Sequence, residues 1–178
     1  MVLFALGAYH AVAGEWEVGG KYALSFQDVD GKELSTNDGY VTIITVVTRA
    51  QEDNARAVAD LVPDRYVGDE KYRYVTLVNF QGKLAGPFEG LTRAIIRNRL
   101  NAEAEGLKPQ YLAKKIERDP RSDLHVIADF DGSASRRLGL SESAGTAVFV
   151  FDGAGKLLGR WKGVPPGDAL PKVLAPAR

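Results

Sequence analysis

The chain has 178 residues, 45% hydrophobic and 26% charged, a length and balance that suit a globular protein with a sizeable core. Its 23 basic and 23 acidic side chains cancel to a net charge of zero, which argues against a general nucleic-acid binder and against steering toward anionic membranes. There is no cysteine, so dithiol redox chemistry, thiol peroxidase chemistry and cysteine metal ligation are excluded together. No apolar stretch reaches the length of a bilayer-spanning helix.

At the start, Val2 to Ala8 is apolar and Ala11-Val12-Ala13 has the small-x-small form of a signal-peptidase site, followed by a polar stretch from Glu15. This reads as the end of a secretory signal peptide, with residues 1–20 a leader remnant or extension and a periplasmic or secreted location. No Lys or Arg precedes the apolar run and His10 interrupts it. An N-terminal strand or helix packed on the core, in a cytoplasmic protein, is the competing reading.

The remainder, 21–178, reads as one domain. Lys21 to Phe26 alternates weakly, Asp28 to Lys32 has the residues of a tight turn, and Glu33 to Ser35 returns, which predicts a hairpin. Tyr40 to Val47 is rich in β-branched residues without polar alternation, as in a central strand covered on both faces. A helix follows, with Ala55, Val58, Ala59 and Val62 at helical spacing and Pro63 as its stop. Thr48 is a candidate N-cap, with Glu52 and Asp53 in the first turn.

Tyr72 to Phe80 predicts a second strand. Phe88 to Ala104 predicts a long helix with Phe88, Leu91, Ile95 and Leu100 on its apolar face, ended by Gly106 and Pro109. A shorter helix is expected over Tyr111 to Glu117. Leu124 to Ala128 is a strand, Ser133 to Leu138 a short helix closed by Gly139. Thr146 to Phe151 and Lys156 to Trp161 form a hairpin around Asp152 to Gly155, and 168–175 is a terminal helix with Pro171 in its first turn. This order gives an α/β fold: a mixed sheet with helices on both faces.

The order is similar to that of the thioredoxin-like superfamily, notably its peroxiredoxin-like and periplasmic branches. Three segments carry the resemblance: Val41 to Asp53, Leu124 to Leu140, and Ala144 to Leu157. It implies a three-layer sandwich with an N-terminal β-hairpin and a helical insert at about 81–118. The chain looks most like the cysteine-free periplasmic members of unknown function. Where that family carries Cys-x-x-Cys, this chain reads Ala50-Gln51-Glu52-Asp53, and its cis-proline position aligns with Thr146. The peroxiredoxin Pro-x-x-x-Thr-x-x-Cys motif is absent.

The resemblance would bring Thr48, Arg49, Ala50, Asp53 and Thr146 to one degenerate active-site region. A threonine and an arginine there could hold a carboxylate or phosphate; the plainer reading is a solvated Arg49 and a Thr146 bonded to backbone. Glu52 and Asp53 already occupy the positive helix start, against an anion site there. His125, in an apolar strand with no serine motif around it, reads as a core or strand-end histidine. Asp28-x-Asp30-Gly31 and Asp129-x-Asp131-Gly132 lack calcium-loop spacing and read as turns. The basic residues of the insert read as a solvated face or a docking surface. No metal site and no cofactor is expected.

Three functions remain open. The first is a non-enzymatic module binding a protein or a small molecule. The second is an enzyme using non-thiol residues of the same pocket. The third is a structural or assembly subunit docking through the insert. A thiol-dependent oxidoreductase or peroxidase is excluded.

Overall fold

A computed structural model describes residues 16–80, 86–141 and 143–176. The expected leader segment therefore lies outside the described residues up to position 15. A two-stranded hairpin, β1 (Ser25–Gln27) with β2 (Glu33–Ser35), precedes a five-stranded sheet. The sheet strands are β3 (Val41–Thr48), β4 (Tyr72–Asn79), β5 (Leu124–Asp129), β6 (Ala147–Phe151) and β7 (Leu157–Lys162), in the spatial order β5-β4-β3-β6-β7. β3, β4 and β5 run parallel, while β6 and β7 are antiparallel to their neighbours. The helices are α1 (Glu52–Asp60), α2 (Glu89–Ala113), α3 (Ser133–Arg137) and α4 (Ala169–Leu174).

The β-branched run of β3 is buried along almost its whole length, because both faces of the sheet are covered. One face carries Ile43, Val47, Val78, Val126 and Val148. It packs against Val58 of α1, Leu100 of α2, and Leu170 and Leu174 of α4. The other face carries Ile44, Val46, Val75, Leu77, Ile127 and Phe149. It packs against Ala134 of α3 and against Phe26 and Leu34 of the hairpin. The mixed sheet with helices on both faces is as the sequence predicts, and its five strands agree with the expected bounds within about a residue or two, whereas β1 begins at Ser25 and not at Lys21.

The insert differs. Gly106 and Pro109 do not end the long helix: α2 continues through both to Ala113, with no second helix over Tyr111 to Glu117. Tertiary anchoring overrides these local breakers. Tyr111 is buried, and its hydroxyl donates to Asp123 Oδ2 at 2.6 Å, fixing the final turn beside the start of β5. The apolar face is also rotated from the expected one. Phe88, Leu91 and Ile95 are 61%, 62% and 48% exposed, whereas Leu100, Ala104 and Tyr111 are the buried residues. The sheet selects the Ile96–Leu100–Ala104–Tyr111 stripe, which Ala104 makes less conspicuous in the sequence.

Candidate functional site

β3 delivers the chain into a short 3-10 turn, Arg49–Gln51, and then into α1. Thr48 does not cap the helix: its hydroxyl instead donates to Gln51 Oε1 at 3.2 Å. The first turn of α1 is acidic, with Glu52 and Asp53 as expected. Arg49, Ala50 and Asp53 are exposed, and Thr48 is half-buried.

Thr146, just before β6, is buried and receives a hydrogen bond from Asn54 Nδ2 at 2.8 Å. Gly145 lies against the Gln51 side chain, with 3.2 Å from its Cβ position to Gln51 Nε2. The 48–54 and 144–146 segments thus face each other. The Asn54–Thr146 hydrogen bond and the packing of Gln51 on Gly145 make the seam, and no sequence pattern marks Asn54 for this role. Thr146 bonds to a side chain rather than to backbone.

The concave feature lies one step away. Between the sheet, α1 and α2 is a cavity of about 870 Å³, lined chiefly by apolar side chains including Ala55, Ala59, Val62, Ile96, Leu100 and Leu107. Asp53 borders it, while Thr48, Arg49, Ala50 and Thr146 do not. Two polar bridges connect its helical walls. Arg99 of α2 pairs with Glu52 of α1 at 3.3 Å. Farther along, Lys114 pairs with Asp64 at 3.0 Å and Gln110 donates to the same carboxylate at 2.7 Å. These two bonds hold the exposed Asp64 carboxyl below its ordinary value. Tyr74 borders the cavity, its hydroxyl donating to the Tyr66 carbonyl at 3.2 Å. Burial raises the Tyr74 pKa above the ordinary phenol value, so its hydroxyl stays protonated.

The other end of the sheet carries buried charge. Arg73 of β4, 5% exposed, donates to both Asp38 oxygens, at 2.7 and 2.9 Å, and to Thr42 Oγ1 at 2.9 Å. Burial raises the Asp38 carboxyl, but hydrogen bonds from Arg73 and the Ser35 backbone outweigh it and hold the group below its ordinary value. His125 of β5 is buried, as the sequence predicts, with Nδ1 3.1 Å from Asp28 Oδ2. Asp28 also accepts the Asp30 and Lys32 N–H groups, each at 2.9 Å, which makes the first Asp-Gly motif a turn. The second motif caps α3: Asp129 accepts the N–H groups of Ala134 and Ser135. Among the described residues no group of three or more acidic, His or Cys side chains could hold a metal ion, and no helix is long and apolar enough to cross a membrane.

No protein-family model matches the chain, and no curated protein matches it. Solved structures do. One assigned as the thiol:disulfide interchange protein DsbE of Chlorobium tepidum is 15% identical, with a TM-score of 0.55 over 90% of this chain and 97% of that one. The exposed lipoprotein thioredoxin Etrx1 of Streptococcus pneumoniae is 17% identical, with a TM-score of 0.52 over 86% of this chain and 98% of that one. The C-terminal domain of a protein assigned as a thiol-disulfide oxidoreductase, from Bacteroides thetaiotaomicron, is 11% identical, with a TM-score of 0.54 over 90% and 95%. The fold is thioredoxin-like. In this thioredoxin-like chain the absence of any cysteine removes the nucleophile and the leaving group of thiol-disulfide exchange alike. What the fold retains is a scaffold with a sheltered apolar space beside α1.

Proposed function

We propose that this protein is a non-enzymatic binding module on a thioredoxin-like scaffold. Its ligand is an elongated apolar small molecule held between α1, α2 and the sheet. The observation that carries this reading is the 870 Å³ apolar cavity, which lies within the range of pockets that take up small molecules. Its lining runs from Glu52 and Arg99 to Gln110 and Tyr111, more than two turns farther along α2, a span that suits a chain-like occupant. The region of Thr48, Arg49, Ala50, Asp53 and Thr146 then contributes only Asp53, at the rim.

Fluorescence titration with cis-parinaric acid, followed by displacement with dodecanoate, tests this. Saturable 1:1 binding is expected, and Ala59→Trp, which places a bulky ring in the cavity from an exposed helix position, should abolish it. Failure of medium- and long-chain amphiphiles to bind would overturn the reading.

An exported location accompanies this proposal. It is supported by the Ala11-Val12-Ala13 site after an apolar run and by likeness to an exposed lipoprotein. N-terminal sequencing of the protein from its own cells should find a mature start after Ala13. One observation favours an assembly role instead: Phe88, Leu91 and Ile95 lie exposed on one side of α2, as residues of a docking face do. Light scattering at high concentration separates the two, since an oligomer that Leu91→Glu dissociates would support assembly.

A further inference from the structure

At the end of the sheet opposite the α1 start, a recess of about 290 Å³ is bordered by Lys32, Tyr40, Arg73, Arg118, Asp123 and His125. Its size suits a group of a few heavy atoms. The charges around it are unequally committed. Arg118 is tied to Asp123 at 2.7 Å and reaches Glu70 at 3.5 Å, so both bordering carboxylates already have a cation. Arg73 is tied to Asp38. Lys32 forms no ion pair or side-chain hydrogen bond among the described residues, and its ammonium is the uncommitted cation of the recess.

Two further atoms lack partners. Asp28 accepts two backbone N–H groups through Oδ1 and faces His125 Nδ1 with Oδ2. With Asp28 Oδ2 as the acceptor, the imidazole proton sits on Nδ1 and Nε2 presents a lone pair. Burial, reinforced by the positive charges of Lys32 and Arg73, lowers the His125 pKa and keeps the ring neutral, although Asp28 opposes this. Nε2 has no hydrogen bond among the described residues. Arg73 Nε is the one buried side-chain polar atom there with no acceptor. An unsatisfied buried donor is costly, and persists where a ligand or solvent supplies what the fold omits.

We propose that this recess binds a small oxyanion that also carries a hydroxyl, with Lys32 holding the negative oxygen and His125 Nε2 accepting the hydroxyl proton. A monohydrogen phosphate group and a 2-hydroxycarboxylate share this chemistry. Arg73 Nε, in the same wall, is the donor that an added oxygen would satisfy after a small side-chain shift. The recess shares Tyr72, Asp123 and His125 with the lining of the apolar cavity, whereas Lys32 and Arg73 border the recess and not the cavity, so Lys32→Met tells the two sites apart.

The chain has two histidines, so a His10→Gln background leaves one imidazole signal for proton NMR. The full chain is titrated at constant ionic strength with inorganic phosphate, with glycerate, and with acetate or chloride as controls. Additions run to about 20 mM, where a site of even millimolar Kd would fill. A saturable shift of the His125 signal is expected for phosphate, glycerate or both; which of them acts names the class of ligand. Lys32→Met, at an exposed position, should weaken Kd at least about tenfold. The proposal is overturned by no shift with either oxyanion, by an equal shift with chloride or acetate, or by a shift that survives in Lys32→Met.

Discussion

The two ends of the parallel strands are built from different materials. Where β3 runs into α1, the bonds of Thr48 with Gln51 and of Asn54 with Thr146 are neutral, and the Glu52–Arg99 ion pair beside them is solvent-exposed. Where β4 and β5 begin, they are charged and largely buried: Arg73 with Asp38, His125 with Asp28, and Asp123 with Arg118 and Tyr111. With no cysteine in the chain there is no thiolate to stabilise at the carboxyl end of β3, and the buried Asp129 carboxylate at the end of β5 is taken up by the backbone of α3. Buried ionic groups at the opposite end must be satisfied to be tolerated at all. The contrast teaches that polar specificity in this protein lies away from the position its fold would first suggest.

Substitutions break this comparison in order of expected size. Asp38→Ala leaves the Arg73 guanidinium, 5% exposed, without its carboxylate and should cost about 3 kcal/mol. Urea unfolding reads this as a lower midpoint at unchanged slope; a loss below about 1 kcal/mol would mean that water reaches the guanidinium.

Acid titration separates the groups within the charged end. The folded state keeps His125 neutral, so the unfolded chain binds more protons and stability falls as pH drops below 6.5. The slope from this residue is at most about 1.4 kcal/mol per pH unit, and His125→Gln should flatten it. The Asp38 and Asp123 carboxyls are raised by burial but brought below 3.8 overall by their arginine partners, helped by backbone N–H at Asp38 and by Tyr111 at Asp123. Their stabilisation is lost only as pH falls below 3.8 toward the folded values, so the His125→Gln variant should keep that second, more acidic loss. A variant with an unchanged slope between pH 6.5 and the carboxylate range would contradict the assignment.

At the neutral end, Thr146→Val removes the hydroxyl that receives Asn54 and should cost about 1 kcal/mol in thermal or urea unfolding. The smallest effect is expected from Ala50→Ser, an exposed position, within about 0.5 kcal/mol of the parent protein. An effect as large as that of Asp38→Ala there would erase the distinction between the two ends.

Much of the fold was legible because local pattern and global burial agree. The uninterrupted apolar run of β3 and the all-apolar β6 are read directly as strands covered on both sides. The insert was not legible in detail. Pro109 and Gly106 signal a stop, yet the buried Tyr111 and its bond to Asp123 carry α2 past them. The large side chains Phe88, Leu91 and Ile95 outrank Ala104 in any reading of hydrophobic periodicity, yet Ala104 is the buried one. At the neutral end, Thr146 was identified through resemblance, but its partner Asn54 is 92 residues away in sequence and carries no signal of its own.

The sequence by itself determined that thiol chemistry is impossible, that the sheet is mixed with helices on both faces, and that His125 belongs to a strand. These conclusions rest on residue identity and on periodicities of two and of about 3.6, which are local properties of a chain. Only the tertiary structure decided that Asp28 meets His125 across 97 residues and that Arg73 meets Asp38 across 35. It alone decided that an apolar space opens between α1 and α2. Pairing of charges and the volume left between packed elements depend on how distant segments are placed, and no local pattern encodes that placement.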